Sequence, residues 1–198
     1  MAFHVLPVVG TFSLGLVIVS ALPINLAHAA KPNPGDEHTV QPGDPVEDWD
    51  LTGAKLTVLP QAQTHFIISH NGSTLILQEA VARSATGNDA LNLSRSSAKI
   101  SGTDLIGDNA YGLSAIRDPS DPQPGSQVEL VDSRVVGLGR GINATFGTTL
   151  NLTRAEVFGT GDGLGGPTSG GVGMTLVGAK AQLLPGSVLG RNRGVVMT

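Results

Sequence analysis

Apolar and polar residues alternate over short stretches beyond residue 50, and one order of residue types recurs along the chain. Residues 127–137 (QVELVDSRVVG) and 149–159 (TLNLTRAEVFG) share this order. Each begins with alternating apolar positions and continues with two residues of which the second is charged, a small residue, a charged residue, an apolar pair and a glycine. Alternation with a period of two predicts strands, and no window has the sustained apolar spacing of a helix.

Five segments fit this template, and three of its positions keep their character in all five. The segments are 74–84, 99–107, 127–137, 149–159 and 182–190. An apolar column contains Leu77, Ile100, Leu130, Leu152 and Leu183. A column of small residues contains Ala80, Thr103, Ser133, Ala155 and Gly186. A second apolar column contains Ala82, Leu105, Val135, Val157 and Val188. Recurrence at intervals of about 20 to 33 residues indicates a repeat architecture.

A shorter strand follows each segment, so every repeat contains two or three strands separated by turn residues. Parallel stacking of successive repeats, about 4.8 Å apart, would bury the apolar columns and leave the polar alternates in water. We therefore predict an all-β parallel β-helix, a solenoid of about five to six coils over residues 49–198. Because Met197 and Thr198 end a strand-like stretch without a polar cap, we expect the solenoid to be incomplete at its C-terminal end.

The first 29 residues have the features of a signal peptide. Residues 1–30 contain no Asp, Glu, Lys or Arg, and residues 6–22 are almost wholly apolar or small. Ala27 and Ala29 match the small-x-small pattern of signal cleavage, which predicts a cut between Ala29 and Ala30. An uncleaved membrane anchor is the alternative, although the apolar run is shorter than the roughly 20 residues that a span requires. Residues 30–48, rich in Pro, Gly and acids, are expected to be a linker or an N-terminal cap.

The composition narrows the class of function. The net charge is −4 and no segment is strongly basic, which argues against nucleic acid as a partner. The chain has 27 Gly and no Cys, so a secreted form would need a source of rigidity other than disulfides.

Two insertions between repeats are candidate binding loops, because insertions into a solenoid lie on one face that often binds partners. They span residues 117–124 (RDPSDPQP) and 158–171 (FGTGDGLGGPTSGG). Their candidate residues are Arg117, Asp118, Asp121, Thr160, Asp162 and Thr168. The alternative is that both are polar loops under no functional selection.

No catalytic, metal or cofactor motif is evident, so we expect no enzymatic activity, no metal and no cofactor. One enzymatic alternative rests on Asp89 and Asp108, which precede the third strand in successive repeats and would therefore stack on one edge of the solenoid. Two carboxylates at a suitable separation are what glycoside hydrolysis requires. Aspartate in a Gly-Asn-Asp turn is also expected from turn chemistry alone.

The repeats resemble the passenger domains of pertactin-like autotransporters of Gram-negative bacteria. The resemblance covers residues 42–198 and rests on PGDPVEDWDLTGAKLTV (42–58), GSTLIL (72–77), GSQVELVDS (125–133), the third strands that open with glycine, and GLGGPTSGG (163–171). It implies a right-handed parallel β-helix, exported through the periplasm by type V secretion and displayed at the cell surface. It also implies an outer-membrane β-barrel translocator as a partner. That barrel is missing from this chain, which would make it an N-terminal fragment.

Three hypotheses about function remain at this point. The first is a secreted or surface-displayed passenger fragment, adhesin-like or structural and non-enzymatic, which contacts host or neighbouring-cell surfaces. The second is a polysaccharide-active β-helix enzyme that uses Asp89 and Asp108. The third is a truncated fragment without a function of its own.

Overall fold

The computed structural model describes residues 29–161, 171–189 and 193–197, and no helix occurs in these ranges. Their strands, in chain order, are β1 (Glu37–Val40), β2 (Trp49–Thr52), β3 (Lys55–Val58), β4 (Gln63–Thr64), β5 (Ile67–His70), β6 (Thr74–Gln78), β7 (Val81–Ser84), β8 (Leu91–Ser94), β9 (Ser97–Ser101), β10 (Asp104–Gly107), β11 (Leu113–Ala115), β12 (Gln127–Val131), β13 (Arg134–Gly137), β14 (Arg140–Thr145), β15 (Thr149–Thr153), β16 (Glu156–Gly159), β17 (Val172–Val177), β18 (Lys180–Leu183), β19 (Val188–Leu189) and β20 (Arg193–Met197).

These strands form three parallel sheets, which the chain visits in rotation. Sheet 1 has the order β1-β3-β6-β9-β12-β15-β18, sheet 2 the order β4-β7-β10-β13-β16-β19, and sheet 3 the order β2-β5-β8-β11-β14-β17-β20. We call three consecutive strands, one in each sheet, a coil; the first is β3-β4-β5 and the last described is β18-β19-β20. The all-β prediction is confirmed, and the three parallel sheets are consistent with a parallel β-helix solenoid.

The first apolar column of the sequence template is confirmed by the strand pairing in sheet 1. Leu77 pairs with Ile100, which pairs with Leu130. Leu130 pairs with Leu152, which pairs with Leu183. Leu77, Leu130 and Leu152 are fully buried, because inward alternates of a stacked sheet are shielded by the coils above and below.

The template was wrong by one residue in the last coil. Val157 pairs with Leu189, not Val188, and Ser187, not Gly186, occupies the small-residue column. The cause is an extra residue in that corner, where the sequence Leu-Pro-Gly replaces a two-residue corner. Gly186 has φ +86° and precedes the small residue, the position that Asp132 occupies with φ +48° two coils earlier.

Corners between sheets 1 and 2 explain why one column is always small. The residue before each small residue is in the left-handed conformation, at the point where the chain turns from sheet 1 into sheet 2. The Ser133 hydroxyl then accepts a hydrogen bond from the Thr103 amide at 3.2 Å and donates one to the Val131 carbonyl at 2.7 Å. Ser187 accepts an equivalent bond from the Ala155 amide at 3.3 Å. A short hydroxyl side chain therefore satisfies backbone groups that the strand ladders leave free.

Residues 30–48 contain β1, which pairs in parallel with β3. Ala30 forms an isolated parallel bridge with Trp49. Trp49 is 9% exposed and its ring lies 5.7 Å from that of His38, so it is mainly a packing residue of the first strands.

Ala27 and the rest of residues 1–28 lie outside the described residues. Within the described ranges, no helix has the length and apolar character needed to cross a membrane.

The apolar columns are uncovered at the last described strands. Leu183, Val195 and Met197 occupy inward positions of β18 and β20, yet they are 45%, 39% and 76% exposed. Their partners one coil earlier, such as Leu152, are fully buried. Stacking of a further coil is what buries these positions elsewhere in the molecule.

Candidate functional site

The connection from β11 to β12 is the longest described crossing between sheets 3 and 1. Residues 53–54 and 95–96 make the same crossing from β2 to β3 and from β8 to β9. The connection from β11 to β12 instead takes residues 116–126 and contains the predicted binding loop 117–124. The extra residues project from a corner that is otherwise short.

The loop is fastened to the preceding coils by one ion pair. Asp121 lies 3.5 Å from Arg95, the left-handed residue of an earlier corner. Arg95 also donates a hydrogen bond to the side-chain carbonyl of Asn71, one coil further back. Within the loop, the Asp121 carboxylate also accepts a hydrogen bond from the Gln123 amide at 2.9 Å.

Asp118 stabilises the loop itself. Its carboxylate accepts hydrogen bonds from the Ser120 hydroxyl at 2.6 Å and from the Ser120 amide at 2.8 Å. These bonds, with a small contribution from the charge of Arg117, hold the pKa of Asp118 below its ordinary value. The carboxylate therefore remains ionised at neutral pH and is already occupied by its own turn.

Arg117 lies against the following coil. Its amide donates to the Thr145 hydroxyl at 2.8 Å, and its guanidinium is packed against Gly147, which has φ +70°. The Nε atom is buried and has no hydrogen-bond partner. Arg117 thus fixes one end of the loop, whereas Asp121 fixes its middle.

A groove of about 610 Å³ lies between the loop and the earlier corners. This volume falls within the roughly 300–1,000 Å³ that is typical of ligand sites. Most of its lining residues have polar or charged side chains, although apolar atoms form the larger part of its exposed surface. They come from three successive crossings and from the first residues of β9 and β12: Asn71, Gly72, Ser73, Arg95, Ser96, Ser97, Gln123, Pro124, Gly125 and Gln127. The loop insertion in the sequence indicated this place, but the opposite wall has no sequence signal, because its residues belong to ordinary corners.

The second predicted loop is described only at its base. The Thr160 amide and hydroxyl both donate to the Gly137 carbonyl, at 2.9 and 3.3 Å, which ties the start of the loop to the previous coil. Asp162 and Thr168 lie outside the described residues. Within the described residues, the candidate site is therefore the groove at loop 117–124.

Asp89 and Asp108, the carboxylates of the enzymatic alternative, do not occupy equivalent places in their coils. Asp108 directly follows β10 and its amide bonds to the Ser84 carbonyl. Asp89 lies just before β8 and accepts a bond from the Tyr111 amide at 3.0 Å. The expected stacking of the two carboxylates on one edge is therefore wrong, since the turns that hold them align at opposite ends.

Both carboxylates are also engaged by other groups. Arg83 donates two bonds to Asp108, at 2.8 and 3.2 Å. Burial raises the pKa of Asp89, an effect that bonds from Tyr111 and Asn92 partly oppose. The described residues contain no cluster of three or more His, Cys, Asp or Glu that would suit a metal ion.

No protein-family model matches the sequence, and no curated protein shows significant similarity to it. The groove beneath loop 117–124, which residues from three successive crossings build, is a feature of the described structure that suits binding.

Proposed function

We propose that this chain is a secreted or surface-displayed, non-enzymatic passenger of the pertactin-like autotransporter type. Its three sheets close into a right-handed parallel β-helix, and loop 117–124 with its groove is the contact surface. The observation that carries the proposal is the anchored insertion: one corner of a regular stack is extended, and the Arg95–Asp121 pair holds the extension over a groove.

The proposed handedness agrees with a general rule for parallel strands. Crossover connections between parallel strands of one sheet are right-handed in about 98% of cases. Each coil contacts mainly its neighbours, so the chain can fold coil by coil as it emerges from a membrane. This property suits export through a narrow translocator, which would be the outer-membrane β-barrel partner.

The position of Ala30 supports removal of residues 1–29 as a signal peptide. The Ala30 amide donates to the Asp48 carbonyl at 2.7 Å, and its carbonyl accepts from the Asp50 amide at 2.9 Å. A cut between Ala29 and Ala30 would leave Ala30, the first paired residue of the described range, at the new N-terminus. The charged amine formed there could still donate to the Asp48 carbonyl.

The groove supports binding rather than catalysis. The carboxylates near it, Asp118 and Asp121, are occupied by bonds within the loop or by Arg95. Asp89 and Asp108 belong to a different corner and are not aligned. Contact with host or neighbouring-cell surfaces is the role that remains for an extended loop on a rigid solenoid.

Surface display can be tested with antibodies raised against the purified chain. Intact cells of the organism that encodes it are labelled, then treated with protease, and the N-terminus of the mature chain is sequenced. We expect label on intact cells, loss of label after protease treatment, and an N-terminus at Ala30. Antigen that is protected in intact cells and begins at Met1 would overturn the proposal.

A further inference from the structure

We propose that the groove beneath loop 117–124 binds a neutral oligosaccharide. This inference deepens the proposed function, on which it rests, by naming the chemical class that the contact surface takes. The groove favours such a ligand through its charge balance, its hydrogen-bonding groups and the direction in which its walls are arranged.

The groove carries no net charge. Among the side chains that line it, Arg95 is the cation, and Asp121 neutralises it from 3.5 Å. The side chains of Gln123, Gln127 and Asn71 are uncharged amides. A sulfate, phosphate or carboxylate ligand would have to displace Asp121 from Arg95, whereas a neutral ligand leaves that ion pair intact.

The same groups offer donors and acceptors close together, as sugar hydroxyls require. A primary amide carries two N–H donors and an acceptor oxygen, and a guanidinium carries five donors. Asn71 and Asp121 engage two nitrogens of Arg95, and N–H groups remain for a ligand. Planar amides and a guanidinium can each contact two neighbouring hydroxyls, while the ring of Pro124 gives an apolar surface for sugar C–H groups.

The walls favour a chain of sugars over a single unit. Asn71 follows β5, Arg95 follows β8 and Gln127 opens β12, so the lining residues belong to successive coils. Parallel strands lie about 4.8 Å apart, so the three crossings that line the groove extend it over two such steps along the stacking direction. Ser97 continues this polar line, since its hydroxyl lies 3.4 Å from that of Thr74 in the adjacent strand.

The test is titration calorimetry of the full chain with named probes at neutral pH. The neutral probes are maltohexaose, cellohexaose and mannohexaose; the acidic probes are oligogalacturonate and a sulfated dextran oligosaccharide. We expect at least one neutral probe to bind with a Kd of about 1 mM or tighter. The double variant Gln123→Ala/Gln127→Ala should weaken that binding about fivefold or more, because two polar contacts are removed.

Gln78→Ala is the matched control. Gln78 is an exposed glutamine in sheet 1, the sheet that also contains Gln127, and it does not line the groove. Its Kd should stay within about twofold of wild type, as expected for a distant surface change. Circular dichroism of all variants checks that folding is unchanged. The inference is overturned if no neutral probe binds, if an acidic probe binds more tightly, or if the double variant and the control bind alike.

These outcomes are separate from those of the proposed function. Failure of all neutral probes on a chain that protease removes from intact cells would reject the ligand class and leave surface display standing. Sugar binding by a chain that never leaves the cytoplasm would support the ligand class and reject surface display.

Discussion

The corner hydroxyl of Ser133 provides a sharp test of how neighbouring coils hold together. Ser133→Ala keeps the small side chain but removes the oxygen that accepts from the Thr103 amide and donates to the Val131 carbonyl. Ser133 is 3% exposed and Thr103 is fully buried, so water does not replace the lost bond. The Thr103 amide is left without an acceptor from this corner.

The expected loss in the free energy of unfolding is about 1–3 kcal/mol, the cost of an unsatisfied buried donor. A second substitution in the same small-residue column should have the opposite effect on stability. Ala155 follows Ser133 in the stack and has no hydroxyl, so Ala155→Ser would give the Ser133 amide the acceptor that Ser133 gives Thr103. We expect this substitution to stabilise the chain by about 0.5–1.5 kcal/mol, the net value of one hydrogen bond.

The assay combines urea unfolding with amide hydrogen exchange by NMR. The control is Ser97→Ala, an exposed strand serine whose replacement should change stability by less than about 0.5 kcal/mol. Exchange of the Thr103 amide should accelerate about 5- to 30-fold or more in Ser133→Ala, as a loss of one or two kcal/mol implies. If Ser133→Ala and Ser97→Ala unfold at the same urea concentration, the hydroxyl does not bridge the coils and the reasoning is refuted.

Three further substitutions test the core, a buried carboxyl and a close backbone contact. Leu130→Ala, at a fully buried position, should lower the free energy of unfolding in urea by about 2–5 kcal/mol. Leu184→Ala, at a position 39% exposed, should lower it by less than about 1 kcal/mol, and equal losses would contradict the burial of the column. Burial raises the folded-state pKa of Asp89 above its ordinary value of 3.8, so its contribution is greatest below that pH and is lost as pH rises through the raised pKa. The urea midpoint of Asp89→Asn, measured relative to wild type, should therefore increase between acid and neutral pH. A midpoint difference between the two proteins that does not change with pH would contradict a buried carboxyl with a raised pKa. A Cβ at Gly125 would overlap the backbone of the next coil, whereas one at Gly87 meets nothing within 4 Å. Gly125→Ala should thus cost about 1–3 kcal/mol and Gly87→Ala almost nothing, which thermal unfolding followed by circular dichroism would distinguish.

The columns in sheet 1 were predictable because parallel stacking needs little beyond local alternation. Each inward residue meets the same kind of residue one coil away, so Leu77, Ile100, Leu130 and Leu152 could be aligned from sequence alone. The alignment was wrong after the Leu-Pro-Gly corner, because the one added residue there shifts the later residues of this coil by one position relative to the template. A matching Leu-Pro-Gln at residues 59–61, with Gln61 at φ +67°, was the signal that could have revealed the longer corner.

The roles of the loop residues depended on contacts that no local pattern contains. Asp118 and Asp121 lie three residues apart and have the same side chain. One folds back on Ser120, and the other reaches Arg95 in the crossing one coil earlier. The stacking of Asp89 with Asp108 failed for a similar reason, because turns of different length place equivalent sequence positions at different ends of a connection.

The sequence by itself determined that the chain is built of strands, that the strands repeat, and that loop 117–124 is an insertion. Those properties follow from alternation, glycine placement and residue spacing, which act over a few residues. Only the tertiary structure decided the alignment of the last coil and the groove formed by Asn71, Arg95 and Gln127. These residues are 24 and 32 positions apart in sequence. They become neighbours because parallel stacking brings successive coils within about 5 Å of one another.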